Sequence, residues 1–198
     1  MISKKEIMAH YIADPQDSYF VHGSPPIETV EVVAYDILWP RVYADVSSSI
    51  RKKLGSCVKK IDHIGSTAIP GIAAKPVIDI DLTVANPADE DNYLPALESL
   101  GFHLIVREPR FHGHRLFHLE NPRVNLHVFG PDCPETVRHL LFRDWLRQSE
   151  DDCQRYANAK LEAVEDCRLD IEKYHENKKK VVHDIYRKIF QSLGYLDS

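Results

Sequence analysis

Ile61-Asp62-His63-Ile64-Gly65-Ser66-Thr67-Ala68-Ile69-Pro70-Gly71-Ile72-Ala73-Ala74-Lys75-Pro76-Val77-Ile78-Asp79-Ile80-Asp81-Leu82-Thr83-Val84 is the stretch that decides the fold. It reads as a strand, a glycine-hydroxyl turn at Gly65-Ser66, a loop, and a second strand carrying two aspartates. Side chains alternate along a strand, so Val77, Asp79, Asp81 and Thr83 share one face, while Ile78, Ile80, Leu82 and Val84 take the other. Same-face neighbours stand roughly 7 Å apart, a spacing at which two carboxylates converge on one hard cation or bridge two. An apolar strand does not carry two carboxylates for its own stability, because an unpaired buried charge is costly. Asp79 and Asp81 are therefore expected to hold Mg²⁺ (or Mn²⁺) together with substrate phosphates. Gly65, Ser66 and Thr67 are expected to cradle phosphate with backbone N–H groups and hydroxyls. The plain alternative is a pair of solvent-facing aspartates on an edge strand beside an ordinary turn.

Outward from this stretch, residues 58–64 form the leading strand. Pro40 opens the helix before it, with Val42, Val46, Ile50 and Leu54 as its apolar stripe and Gly55 as its stop. Residues 28–35 are rich in valine and read as a further strand. Downstream, a helix runs through Tyr93, Leu94, Leu97 and Leu100. Strands follow at 102–106, 115–120 and 124–129, the last two joined as a hairpin by Asn121-Pro122-Arg123. Beyond Pro134 the pattern is helical, near 135–147, 150–167 and 170–193. Strands first and helices last predict an α+β fold, a mixed twisted sheet with flanking helices and a C-terminal helical lobe. The expected organisation is an N-terminal extension (1–27), an α/β core (28–133) and a helical lobe (134–198) packed on that core as a single compact unit.

The 198 residues carry a formal charge of -5, which argues against general nucleic-acid binding. No apolar run approaches the roughly 20 residues of a membrane span, and Met1-Ile2-Ser3-Lys4-Lys5-Glu6 lacks the apolar stretch of a signal peptide. Cys57, Cys133, Cys153 and Cys167 form no CxxC pair and read as reduced thiols of a cytoplasmic protein.

Arg107, Arg110, Arg115 and Arg123, with His112, His114 and His118, make a local positive field in an acidic chain. Arginine suits forked phosphate contacts, and Arg115, at the start of a strand, is the first choice among them. Zinc held by His112, His114 and His118 is the competing idea, though no cysteine or acid completes a recognisable spacing. In the tail, Tyr156 with Lys160 and Tyr174 with Lys178 repeat an i, i+4 pattern. Both lysines interrupt apolar stripes, and lysine is rarely buried without a partner. Lys160 and Lys178 are expected to point into the cleft and bind substrate phosphates or a carboxylate, against the alternative of snorkelling at the stripe's edge. Arg143 and Asp144 read as an ion pair, with Arg143 a further substrate-binding candidate.

The Gly-Ser turn followed by the Asp-Ile-Asp strand resembles the signature of the nucleotidyltransferase superfamily. More narrowly, the chain resembles the GrpB (UPF0157-type) family. The residues that carry this are Tyr35-Asp36 with Trp39-Pro40, the run from His63 to Gly71, and Lys75-Pro76-Val77-Ile78-Asp79. Asn125-Leu126-His127-Val128 and Phe142-Arg143-Asp144-Trp145-Leu146-Arg147 match as well. The resemblance implies a nucleotidyltransferase-like fold and metal-dependent transfer of a nucleotidyl group from a nucleoside triphosphate to a small-molecule acceptor. Asp79 and Asp81 would hold the metal, and Lys75 and Arg115 would neutralise phosphate. Active relatives of that fold place a third carboxylate on a neighbouring strand. Here that strand offers Asn125 and His127, so His127 is expected to be a base or an unusual third ligand. A catalytically inactive module that binds a nucleotide or another anionic metabolite is the alternative.

Overall fold

In a computed structural model that describes residues 2–10, 20–21, 31–167 and 171–196, without the side chains of 164–167 and 171–177, six helices flank a five-stranded mixed sheet. The helices are α1 (Lys4–Met8), α2 (Trp39–Leu54), α3 (Leu94–Glu98), α4 (Pro134–Gln148), α5 (Glu150–Cys167) and α6 (Ile171–Ser192). The strands are β1 (Lys60–Ile64), β2 (Ile78–Thr83), β3 (His103–Glu108), β4 (His114–Leu119) and β5 (Val124–Phe129). They lie in the order β1-β2-β5-β4-β3. β2 and β5 are parallel, and the other neighbours are antiparallel.

Alternation gives the sheet two chemically different faces. Ile61, Ile78, Ile80, Leu82, Val124, Leu126, Val128 and Phe117 pack against the apolar stripe of α2 and against Leu97 of α3. The other face carries Asp79 and Asp81 on β2 and Asn125 and His127 on β5, paired across the parallel ladder as Asp79 with Asn125 and Asp81 with His127. A second apolar cluster, formed by Leu146, Tyr156, Ala157, Ile185, Tyr186, Ile189 and Phe190 of the C-terminal helices, takes in Ile69 and Ile72 from the loop between β1 and β2. That loop therefore anchors the helical lobe over the polar face.

The structure corrects two expected elements. The valine-rich segment 28–35 makes no strand in its described part. It contributes one isolated bridge, Val33 to Ala74, with both N···O distances 2.9 Å; Pro76, two residues on, has no N–H to extend a ladder. The helix expected from Tyr93 to Leu100 shortens to Leu94–Glu98 behind a 3-10 turn at Glu90–Asn92, and Gly101 ends the segment at φ 89. Among the described residues no helix is long and apolar enough to cross a membrane.

Candidate functional site

Asp79 and Asp81 sit at the centre of the polar face, and their two environments differ. Asp81 is only 2 % exposed, and its Oδ2 pairs with Nδ1 of His139 on α4 at 2.9 Å. Its Oδ1 is buried with no hydrogen-bond partner among the described residues. Burial pulls the His139 pKa down, but the Asp81 charge and hydrogen bond outweigh it, and the net shift is upward. Asp79 is half-buried. Asn125 donates Nδ2 to its Oδ1 at 3.1 Å. Burial raises its pKa against that hydrogen bond and the charges of Lys178, His139 and Lys75. Gly65 approaches this carboxylate with φ 68 and ψ -171. A Cβ added there would stand 3.0 Å from both Cβ and Cγ of Asp79 and closer still to its Oδ2.

A histidine array borders the acids. His127 Nδ1 lies 3.0 Å from His114 Nε2, and His114 Nδ1 lies 2.6 Å from Glu108 Oε2. The His127 and His139 rings are 6.1 Å apart. Burial, followed by the neighbouring His114 and His139, holds the His127 pKa well below the usual imidazole range.

From the helical lobe, Lys160 is 1 % exposed and donates to the Ala73 carbonyl at 2.5 Å. Its ammonium lies 4.7 Å from the Tyr156 ring centre, and the Tyr156 hydroxyl meets Ser66 Oγ at 3.1 Å. Burial, aided by the charge of Lys178, brings the Lys160 pKa down to about 7. Burial likewise brings Lys178 down to about 8, with the Asp79 charge acting against it. Neither lysine snorkels into open solvent. Tyr174 lies outside the described side chains.

The structure thus gathers Gly65, Ser66, Lys75, Asp79, Asp81, Asn125, His127, Lys160 and Lys178. It turns others aside. Arg115 pairs in register with Val128 and so lies on the apolar face, donating to Glu90 Oε1 at 2.7 Å and to the Gly113 carbonyl at 2.8 Å; it does not face the acids. Thr67 is buried, its hydroxyl donating to the Val77 carbonyl at 3.3 Å and meeting His63 Nε2 at 3.0 Å, so it does not face a phosphate. Arg143 is spent on Asp144 at 2.7 Å and on the His63 carbonyl at 3.0 Å. His118 bonds Asn125, and His114 belongs to the array just described, so the three histidines 112, 114 and 118 do not converge.

His139, Glu108 and Asp62 are not among the residues expected from the sequence, and His114, expected there only in the positive field or a zinc site, joins them beside His127. Asp62 sits beside Asp81 in the β1–β2 register, paired with Lys60 at 3.0 Å.

These residues do not fit a resident Mg²⁺. Mg²⁺ needs near-octahedral oxygen ligation. One Asp81 oxygen is held by His139 and the other is sealed; one Asp79 oxygen is held by Asn125 and the other lies against Gly65. Among the described residues no group of three His, Cys, Asp or Glu side chains is placed to hold a metal.

The His139–Asp81 pair has a pH signature. A histidine whose pKa is raised on folding adds stability below its unfolded pKa, and that stability is lost as pH rises through the folded value. His139→Gln can keep a donor to Asp81 but carries no charge. It is expected to cost ~2 kcal/mol in acid and to cost less as pH rises above neutrality, so that the variant and wild-type curves converge, as read from urea unfolding at several pH values. A variant curve parallel to wild type removes this account.

A family model described as "GrpB protein" matches residues 29–188. A UPF0157 protein of Halalkalibacterium halodurans is 37% identical over 164 residues, covering 83% of this chain and 84% of that protein. The crystal structure of the conserved protein GrpB from Enterococcus faecalis superposes with a TM-score of 0.71 at 25% identity, covering 81% of this chain and 99% of that one. A more distant relative, a dephospho-CoA kinase of Mycolicibacterium paratuberculosis, is 28% identical over 185 residues, which span 80% of this chain and 46% of the kinase.

Proposed function

This chain belongs to the GrpB family, and on that premise we propose that its cleft binds a phosphate-bearing small molecule of the nucleotide class, held by lysines without a resident metal. One observation carries the reading: Lys160 and Lys178, from two different helices, both turn inward, and burial depresses the basicity of each. Asp79 lies within the fields of Lys178, His139 and Lys75, Lys160 lies within the field of Lys178, and Asp81 stabilises the proton of His139. Cations gathered in a poorly solvated place raise the free energy of the empty site. A phosphate dianion favours their charged form, and lysine binds phosphate as a point charge. The Gly65-Ser66 turn lies against Asp79, beside the Tyr156 hydroxyl, at the edge of this field.

A second reading is nucleotidyl transfer from a nucleoside triphosphate to a small-molecule acceptor. It is favoured by the placement of Asp79 and Asp81 on one face with His127 in register. Titration calorimetry with each of the four nucleoside triphosphates, in EDTA and then in Mg²⁺ or Mn²⁺, separates the two. The binding reading expects association in EDTA, weakened at least tenfold by Lys178→Ala and unharmed by Asp79→Asn. Association that needs the cation and vanishes in Asp79→Asn replaces it with transfer. No association with any triphosphate under either condition overturns both.

A further inference from the structure

We infer that Glu108 and His114 are positioning residues that hold His127 in a single tautomer, with a bare Nε2 offered to the cleft as a proton acceptor. The inference adds a catalytic part to the ligand reading above and rests on that reading only for the identity of the substrate. It starts from the hydrogen-bonded row Glu108–His114–His127, with contacts of 2.6 and 3.0 Å. An ionised carboxylate only accepts hydrogen bonds, so Nδ1 of His114 carries the hydrogen that points at Glu108. When His114 is neutral, its Nε2 then has a lone pair and no hydrogen. The facing atom, Nδ1 of His127, must be the donor across the second contact. A neutral His127 with hydrogen on Nδ1 has none on Nε2. Its direction is therefore set two residues away, by the charge of Glu108.

Packing keeps the row in line. The His114 and His127 rings lie end to end in nearly one plane, their centres 5.2 Å apart with 19° between planes, and His114 also stacks on Phe129 at 4.7 Å. Phe111 closes the outer side, edge-on to His114 at 5.7 Å. The charged and titratable groups around His127 are His114 from β4, Asp81 opposite it on β2 and His139 from α4, with Asp79 two residues along β2 and Glu135 beside His139. His139 is occupied by Asp81, whose charge and hydrogen bond favour its protonated form, whereas burial and its neighbours favour the neutral form of His127.

The chemistry such a nitrogen supports is deprotonation of a hydroxyl nucleophile at a bound phosphate. The hydroxyl oxygen forms its bond to phosphorus as its proton moves to Nε2. The phosphorus–oxygen bond to the leaving phosphate breaks, and its electron pair goes to the leaving oxygen. Nothing is oxidised or reduced. The imidazolium formed on His127 keeps its Nδ1–H directed at His114, whose own Nδ1–H faces the Glu108 carboxylate, so the new charge is stabilised along the row.

Long-range ¹H–¹⁵N correlation spectra of the full-length protein, labelled at histidine and recorded in slightly alkaline buffer, read the tautomers directly, with His127→Asn giving the assignment. The expected wild-type result is a His127 signal protonated at Nδ1 and bare at Nε2. Glu108→Gln can donate to His114, which reverses every hydrogen bond in the row, so His127 should switch to the form protonated at Nε2. Glu108→Asp should restore the wild-type tautomer. A merely structural row would leave the tautomer unchanged in Glu108→Gln, and that result overturns the inference, as does an Nε2-protonated wild type. If Glu108→Gln fails to fold, His114→Gln, read the same way, decides: loss of the fixed Nδ1–H form supports the row, and its persistence overturns it. Calorimetry with ATP on the same samples keeps the two proposals separate. A tautomer switch without ATP binding leaves the row standing and removes the nucleotide; ATP binding without the switch does the reverse.

Discussion

Gly65→Ala is expected to lose at least a hundredfold in phosphate-ligand affinity and roughly 2–6 kcal/mol of stability, the sum of left-handed backbone strain and overpacking. Two independent penalties meet at this atom. With φ 68 and ψ -171, Gly65 occupies a backbone region that is essentially closed to residues with a Cβ. The added methyl would also stand 3.0 Å from Cβ and Cγ of Asp79 and nearer to Oδ2. Relief could come from moving the Asp79 carboxylate, but that carboxylate holds Asn125 and lies within the fields of Lys178 and Lys75. Relief could also come from moving the turn, but its next residues are fixed by the Ser66–Tyr156 contact and by Thr67, bonded to Val77 and His63. Strain is therefore passed to the site whichever way it relaxes. Urea unfolding and titration with ATP check the two arms separately. Wild-type affinity in a folded Gly65→Ala protein would show that the turn's approach to Asp79 has no part in binding.

The same turn shows what the sequence makes legible. Gly65-Ser66 and the alternation through Asp79 and Asp81 need only local rules, because a strand puts i and i+2 on one face wherever it lies. The two tail lysines were legible for a similar reason, as charges breaking a helical stripe. Arg115 was not legible. Which face a strand residue takes depends on register, and a one-residue change reverses it. β4 begins at His114, and its hairpin with β5 pairs Arg115 with Val128, so the arginine meets Glu90, a partner 25 residues away. The same register sets His114 beside His127. Asp62 escaped notice because β1 and β2 are joined by a long loop and not a tight turn, so their pairing cannot be counted off the chain. His139 lies on a helix with no strong local signal. Its one clue is Glu135 four residues earlier, on the same helical face.

Protons should be taken up when a phosphate ligand binds, and the amount should follow the two buried lysines. Lys160 at about 7 and Lys178 at about 8 start from an ordinary value of 10.5. Between the folded and ordinary values the unfolded chain holds more protons than the folded one, so the stability of the empty protein rises with pH by up to about 1.4 kcal/mol per unit for each such group. The penalty is fully present below the folded pKa and is relieved as pH climbs from about 7 toward 10. An anion reverses the balance, because its charge favours the ammonium form. At pH 8 binding should take up about one proton, mostly onto Lys160, and affinity should fall as pH rises from 7 to 9. Calorimetry with ATP in buffers of different ionisation enthalpy measures the uptake. Lys160→Met keeps the stem and removes the charge. It should flatten the pH slope of apo stability, abolish most of the uptake and weaken binding about a hundredfold, the worth of two pKa units of interaction. Its apo form should be more stable than wild type at pH 6, where the buried ammonium is otherwise forced. Wild-type binding with no proton uptake between pH 7 and 9 would mean that the ligand does not meet these amines, and the lysine-lined cleft would then not be where the phosphate goes.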